Sequence, residues 1–211
     1  MKKFKEWQLD KESNSILDIG CGAGAVTYSF AKANPKINFV GLDINPNYIK
    51  FANEHKIKNT SFVVKDFKEI SSGNGSYDGI ICLQTLSWIN NYEQIVNTMI
   101  KLLPKWILVT SLFYDGPVDA RIKIKDYSRT MGTNNFRSSF YNIYSIDKFK
   151  EKINKKGYDI FIKEPFILPF DLIQPLNKGM GTFTQKTTSG ERSQLSGPIL
   201  MSWYTIVIKK I

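Results

Sequence analysis

The sequence predicts an α/β domain in which helices cover both faces of a doubly wound, mostly parallel β-sheet. First, five apolar strand patterns alternate with helical patterns up to residue 112, as in a series of βαβ units. Second, glycines occupy every second position from Gly20 to Gly24, directly after the first strand pattern. Third, two further strand patterns at residues 158–163 and 198–208 extend the predicted sheet to seven strands.

The first two helices carry clear start and stop signals. The first helix ends before Pro35, because proline disfavours helical geometry in the residue that precedes it. The second helix starts at Asn45-Pro46, a capping residue followed by a first-turn proline. Its apolar spacing, at Tyr48, Phe51 and Ala52, predicts that these residues face the core.

The next elements follow the same alternation. Strands are predicted at residues 60–64, 77–83 and 106–112, where apolar side chains dominate. A Gly/Ser-rich loop at residues 71–76 separates the first two of these strands. A helix is predicted at residues 145–157, with an acidic residue in its first turn, lysines later and a glycine as its stop signal.

The composition is that of a globular protein. With 211 residues, of which 42% are apolar and 13% aromatic, the chain can bury a core, and we expect residues 1–211 to form a single domain. No apolar stretch approaches the ~20 residues of a membrane span, so we expect no membrane partner. Cys21 and Cys82 form neither a metal-ligand spacing nor a disulfide framework, which predicts no metal and a cytoplasmic location.

The net charge is the one compositional sign of a macromolecular partner. A formal charge of +10 can indicate a surface that binds nucleic acid. The lysines are scattered along the chain rather than clustered, and we therefore predict no nucleic-acid partner. No pattern in the sequence indicates an oligomeric state.

The glycine-rich turn after the first strand is compatible with two nucleotide ligands. Gly20, Gly22 and Ala25 satisfy the Gly-x-Gly-x-x-Gly/Ala dinucleotide fingerprint, in which a pyrophosphate lies on the helix start. The preceding carboxylate, Asp18, is a poor neighbour for a pyrophosphate and suits a cationic ligand instead. A structural turn without a ligand is the remaining alternative.

The run Asp18-Ile-Gly20-Cys-Gly22-Ala-Gly24 closely resembles the first motif of class I S-adenosylmethionine-dependent methyltransferases. This resemblance implies that S-adenosylmethionine (SAM) is the cofactor and that the three glycines contact it. It also implies that Asp18 lies near the methionine end of SAM, which carries an ammonium and a sulfonium group. The implied fold is a Rossmann-like sheet of seven strands, mostly parallel with an antiparallel last strand. Motifs support the resemblance over residues 15–112, and topology alone over residues 145–211.

Acidic residues follow the second and third strand patterns. Asp43 comes 23 positions after Gly20, close to the distance at which a βαβ unit places a carboxylate beside a ribose, where it can accept from both hydroxyls. We include the adjacent Ile44 in the predicted cofactor site. The resemblance implies that Asp66 accepts from the adenine amino group and that Phe67 lies near the adenine ring. A helix cap is the alternative role for Asp66.

The fourth strand pattern resembles the family's strand that ends at the transferred methyl group. This implies that Leu83 and Gln84 contact the cofactor and that Trp88 contacts the substrate. The sequence here lacks the Asn-Pro-Pro-aromatic run of many methyltransferases that act on amino groups of bases. It also lacks the Pro-Cys nucleophile of pyrimidine-carbon enzymes and the paired acids of metal-dependent catechol-type enzymes.

Residues 113–144 interrupt the alternation with a polar and aromatic insertion. A segment that follows the carboxyl end of a strand faces the ligand side of an open α/β sheet, so we predict that the insertion covers the substrate. Tyr114 and Asp115 are predicted substrate contacts, and Asp115 and Tyr141 are the candidates for a general base. A solvent-covered loop without a ligand role is the alternative.

Residues 175–198 are rich in Pro, Gly and Thr and predict a C-terminal excursion that contains a β-hairpin. The whole pattern predicts a SAM-dependent methyltransferase whose substrate is a small polar molecule, with O-methylation of a hydroxyl-bearing, sugar-like acceptor. An RNA or protein methyltransferase of the same fold is the first alternative. An NAD-linked oxidoreductase and a SAM-binding protein without catalysis are the others.

Overall fold

A computed structural model of the 211-residue chain describes residues 2–70, 77–128 and 137–211. The Gly/Ser loop predicted at residues 71–76 lies outside the described residues, as do residues 129–136 of the predicted insertion.

Strands and helices alternate in the first part of the chain. In order they are α1 Lys2–Glu6, β1 Ser15–Ile19, α2 Ala25–Ala33, β2 Asn38–Asp43, α3 Pro46–Glu54, β3 Thr60–Val64, β4 Gly79–Leu83, α4 Tyr92–Lys101 and β5 Trp106–Tyr114. Short 3₁₀ helices at Phe67–Glu69 and Leu86–Trp88 follow β3 and β4. The later elements are β6 Lys123–Asp126, β7 Arg137–Phe140, β8 Tyr144–Ser145, α5 Ile146–Asn154, β9 Tyr158–Pro165, β10 Thr182–Lys186, β11 Arg192–Ser196, β12 Ile199–Leu200 and β13 Trp203–Lys210.

In the described residues, the central sheet has eight strands. Seven of them lie in the order β3-β2-β1-β4-β5-β13-β9, and the two-residue β8 pairs with the end of β5. The strands β1 to β5 run parallel, and β13 is antiparallel to both of its neighbours. The predicted seven-stranded, mostly parallel sheet with an antiparallel last strand is confirmed. The last strand begins at Trp203 rather than Pro198, because Ile199–Leu200 pair with β11 instead.

Apolar side chains fill both faces of the sheet. Alternate residues of β1 point to opposite faces, so Leu17 and Ile19 join the cluster under α4 and α5, whereas Ile16 joins the cluster under α1 and α2. The helix α3 buries Ile49 and Ala52, so the predicted burial of Ala52 is confirmed. The expected burial of Tyr48 and Phe51 is wrong: these side chains are 49% and 52% exposed, because the buried face is turned by one residue.

Two small sheets lie beside the carboxyl end of β5. The strands β6 and β7 pair in antiparallel orientation within the predicted insertion, and β10, β11 and β12 form a three-stranded sheet. A buried cluster of Leu112, Tyr141, Met201 and Trp203 joins these segments to the central sheet. Within the described chain, no helix is long and apolar enough to cross a membrane.

Gly79 provides a test of the packing between β4 and β5. A Cβ atom at this position would lie 2.0 Å from Cζ2 of Trp106, a fully buried residue whose indole N–H donates to Ser13 Oγ at 3.0 Å. We expect Gly79→Ala to lower the free energy of unfolding by about 1–3 kcal/mol, because the core cannot absorb the added methyl group. Urea denaturation of the purified protein measures the change.

The matched control is Gly116→Ala, since a Cβ there would meet the exposed ring of Tyr114, which can move away. Equal stabilities of the wild type and Gly79→Ala would contradict the tight contact between Gly79 and Trp106.

Candidate active site

A cavity of about 580 Å³ lies at the carboxyl ends of β1 to β4. In a doubly wound sheet, ligands bind at this edge, where the strand order reverses between β1 and β4. We call it the strand-end cavity. The described residues that line it are Ile19, Gly20, Leu42, Asp43, Ile44, Asn45, Tyr48, Lys65, Asp66, Phe67, Lys68, Gln84, Thr85, Trp88 and Ile89.

The turn after β1 needs glycine for two separate reasons. Gly20, Gly22 and Gly24 all have positive φ angles, of +78°, +55° and +80°, which other residues rarely adopt. A Cβ at Gly20 would also lie 2.4 Å from Oγ1 of Thr85, and one at Gly24 would meet the ring of Phe62. No heavy atom of the described residues comes within 4 Å of the corresponding position at Gly22, so open space remains there.

The carboxylate of Asp43 joins the turn after β1 to the turn after β2. Its Oδ2 accepts from the backbone N–H of Gly22 and its Oδ1 accepts from that of Asn45, both at 2.9 Å. Each oxygen still has a second lone pair, and Asp43 lines the strand-end cavity. The amide of the glycine turn is therefore already held by a carboxylate.

Asp18 lies behind the same turn and is only 2% exposed. The pKa of this carboxyl is raised to about 7, mainly by burial. A hydrogen bond from the Thr27 hydroxyl at 2.5 Å lowers the pKa, and the negative charge of the nearby Asp43 adds to the increase. Asp18, Gly22, Gly24 and Leu83 are not among the described residues that line the strand-end cavity. Their predicted contact with the cofactor stays a prediction.

Other predicted cofactor residues do line the cavity. Oδ1 of Asp66 accepts from the Lys68 N–H at 2.9 Å, so this residue caps a 3₁₀ helix and also borders the cavity. Gln84 has a φ angle of +57°, a strained conformation for a residue other than glycine, and its N–H donates to the Thr110 carbonyl at 2.7 Å. Gly20, Ile44 and Phe67 also line it.

A second pocket of about 240 Å³, the aromatic pocket, adjoins the strand-end cavity. Tyr48, Gln84 and Trp88 line both of them. The other described residues that line the aromatic pocket are Asp126, Ser139, Tyr141, Met180, Gly181, Thr182, Ser196 and Trp203. These come from the predicted insertion, the C-terminal excursion and the start of β13.

The structure separates the candidates for substrate contact. Tyr141 lines the aromatic pocket and packs edge-on against Trp88, with 4.9 Å between the ring centroids. Burial raises the pKa of its hydroxyl above the usual value, and a hydrogen bond from Ser196 offsets only part of that increase. Tyr114 is 51% exposed, and Asp115 forms an ion pair with Lys163 at 2.8 Å. Neither Tyr114 nor Asp115 is among the described residues that line the two cavities.

Sequence reasoning missed several residues that line these cavities. Tyr48 was expected in the core because its spacing fits either face of α3, and Asn45-Pro46 signalled only a helix start. Ser139 and Ser196 lie in strands with no local motif, so only tertiary structure brings them to the pocket.

A seven-stranded sheet of this order, with a glycine turn after β1 and an acidic residue at the end of β2, is the Rossmann-like fold of class I SAM-dependent methyltransferases. Residues 10–157, more than two thirds of the chain, match the family model described as a methyltransferase domain. The chain therefore belongs to the methyltransferase domain family, and the resemblance seen in the sequence is confirmed.

Individual relatives agree with this family. The malonyl-[acyl-carrier protein] O-methyltransferase of Bacillus cereus is 32% identical over 101 residues, which cover 47% of this chain and 37% of the relative. The chain spans less than half the length of the curated relatives it matches.

Two solved structures share the fold. A SAM-dependent methyltransferase from Clostridium acetobutylicum superposes with a TM-score of 0.62 at 12% identity, covering 99% of this chain and 88% of that one. The second is the O-methyltransferase of a trans-AT PKS multienzyme of Brevibacillus brevis, solved in complex with S-adenosyl-L-homocysteine. It superposes with a TM-score of 0.56 at 17% identity, and the match covers 74% of this chain and 50% of that chain.

Asp18→Asn tests the cost of burying a carboxyl group behind the turn. Because burial raises the pKa of Asp18 from 3.8 to about 7, the folded state holds a proton that the unfolded state has lost between these pH values. Asp18 therefore favours folding less and less as the pH rises from 4 to 7. We expect Asp18→Asn to raise the melting temperature by a few degrees at pH 8 and by less at pH 5.

Thermal unfolding at both pH values measures this difference, with Asp115→Asn as the control. Asp115 is in an exposed ion pair, which contributes little to stability. A lower melting temperature of Asp18→Asn at pH 8 would contradict the buried, costly carboxylate.

Proposed function

We propose that this protein transfers the methyl group of SAM to a hydroxyl oxygen of a small polar metabolite, such as a sugar-like molecule. The observation that carries the proposal is the pairing of the Gly22 N–H with the Asp43 carboxylate. A pyrophosphate would need that amide and would meet the negative charge of Asp43. A ligand with an ammonium, a sulfonium and two ribose hydroxyls suits the same groups.

The lining of the strand-end cavity supports a position for each part of SAM. The free lone pairs of Asp43 suit the ribose hydroxyls, and Asp66 and Phe67 border the part of the cavity that suits the adenine. A cationic ligand in front of the turn would favour the ionised form of Asp18 behind it. Gln84, at the end of β4, lies where the methyl group would be presented. The remaining proposed contacts are Gly20, Gly22, Gly24, Ile44 and Leu83.

SAM supplies a methyl group on a positively charged sulfur, which an oxygen nucleophile can displace in line. The protein contributes mainly by holding the acceptor in the right geometry and by excluding water. An attacking hydroxyl must also lose its proton. Burial keeps the pKa of Tyr141 raised, so Tyr141 suits hydrogen-bond donation better than proton removal. Of the carboxylates in the described residues, Asp126 lines the aromatic pocket and replaces Asp115 as the candidate base.

The aromatic pocket supports the proposed acceptor class. Its hydroxyl and aromatic lining and its small volume favour a compact polar molecule over an RNA strand or a protein side chain on a broad surface. The name of the Bacillus cereus relative describes methyl transfer to oxygen, which supports an oxygen acceptor here.

Cofactor choice is tested by calorimetry with S-adenosylhomocysteine (SAH) and with NAD. We expect the wild type to bind SAH and not NAD. Asp43→Ala removes a charged acceptor of hydrogen bonds, each worth about 1.5–3 kcal/mol, so SAH affinity should fall at least tenfold. It also frees the Gly22 and Asn45 amides, so Asp43→Asn, which keeps one acceptor oxygen, should lose less affinity.

Asp147→Ala, at the exposed start of α5, is the control for loss of a carboxylate elsewhere. NAD binding without any response to SAH would overturn the cofactor assignment. Unchanged SAH affinity in a folded Asp43→Ala protein would remove Asp43 from the site.

Acceptor class is tested with radiolabelled SAM, total cellular RNA and a small-molecule cell extract. We expect label in the small-molecule fraction and none in the RNA. Binding of RNA through phosphates should weaken steeply with salt, with a slope of roughly −0.7 per neutralised phosphate for single strands, so we expect weak binding near physiological salt. Label in RNA but not in the extract would favour an RNA methyltransferase instead.

A further inference from the structure

The aromatic pocket and the strand-end cavity meet at three side chains. Tyr48, Gln84 and Trp88 line both, and Gln84 directly follows β4 in a strained backbone conformation. A molecule in the aromatic pocket would therefore approach a cofactor in the strand-end cavity at the end of β4.

Aromatic rings form much of the pocket. The pocket is lined by the rings of Trp88, Tyr141 and Trp203 and by that of the half-exposed Tyr48. The edge-on contact of Tyr141 with Trp88, at 86° between ring planes, fixes the orientation of both rings. Aromatic faces pack well against flat or C–H-rich faces of other rings.

Hydroxyl groups supply the polar part of the lining. The Tyr141 hydroxyl donates to Sδ of Met201 at 3.1 Å, and thioether sulfur is a weak acceptor. An oxygen atom of a bound molecule would be a stronger partner for that hydroxyl. Thr182 and Ser196 add hydroxyl groups from β10 and β11. Of the described residues that line the pocket, none is Lys or Arg, which disfavours phosphate and carboxylate ligands.

The pocket volume limits the size of the molecule. Its 240 Å³ equals roughly eight water molecules at about 30 Å³ each. One six-membered ring with a few hydroxyl groups fits this space.

The C-terminal excursion is fixed against the rest of the domain. The Met180 N–H donates to Oδ2 of Asp126 at 3.1 Å, which joins the start of the excursion to β6. Gln194 of β11 accepts from the Leu168 N–H at 2.6 Å and donates to the Phe166 carbonyl at 3.0 Å. The wall that carries Thr182 and Ser196 is therefore held in place by hydrogen bonds.

From these observations we propose that the excursion at residues 175–198 forms the acceptor-binding wall, and that the aromatic pocket binds one neutral ring that carries hydroxyl groups. This inference rests on the proposed function. It assigns acceptor specificity to Tyr141 and Thr182.

The test uses the purified protein saturated with SAH and three probes: catechol, methyl α-glucopyranoside and phenyl phosphate. Saturation-transfer NMR titrations measure probe binding, and calorimetry measures SAH affinity separately. We expect at least one neutral probe to bind and phenyl phosphate to bind more weakly. Tyr141→Phe and Thr182→Val each remove one hydroxyl group and nearly keep the shape of the side chain. Each should lower the affinity for the neutral probe that binds by about three- to tenfold and leave the SAH affinity unchanged.

Ser189→Ala is the matched control, because Ser189 lies in the exposed turn of the same hairpin, with its hydroxyl beside that of Thr187. This variant should change neither the affinity for the probe nor the affinity for SAH. Loss of probe binding in this control, no binding of either neutral probe, or equal binding to wild type and both pocket variants would each overturn the inference. Absence of SAH binding would overturn the proposed function as well, whereas SAH binding without probe binding would overturn the inference alone.

Discussion

The candidate site depends on one carboxylate, that of Asp43, at the end of β2. It accepts from the amides of Gly22 and Asn45 and so joins the two turns that form the floor of the strand-end cavity. A charged acceptor between two backbone donors is a strong contact. Because it uses the amide that a phosphate would need, it also bears on which nucleotide the turn can hold.

The surroundings of this contact carry energetic costs. Asp18 is buried behind the turn with a pKa raised to about 7, and Gln84 adopts a conformation that is unfavourable for a residue with a side chain. Such costs are typical of binding sites, where groups that destabilise the folded protein are retained for a ligand. Here both lie at the ends of adjacent strands, on either side of the point where the strand order reverses.

The sequence predicted those parts of the site that local patterns determine. The glycine turn, Asp43 and Asp66 follow successive strands at fixed spacings, and a βαβ chain brings such strand ends to one edge of the sheet. The aromatic pocket could not be predicted, because residues 84–88, Asp126, residues 139–141 and residues 180–203 are far apart in the sequence and meet only in the folded protein. Asp115 illustrates the difference: it lies in the predicted insertion, yet it pairs with Lys163 on β9 and is not among the described residues that line the pocket. Tyr48 was missed because helical spacing allowed two neighbouring faces of α3 to be the buried one.

The most direct test of this interpretation is a crystal structure of the protein with SAH. We expect the ribose hydroxyls within hydrogen-bonding distance of Asp43, and the sulfur atom beside Gln84 and Trp88, directed toward the aromatic pocket. SAH bound outside the strand-end cavity, or with its sulfur directed away from the aromatic pocket, would contradict the arrangement of two adjoining pockets for cofactor and acceptor.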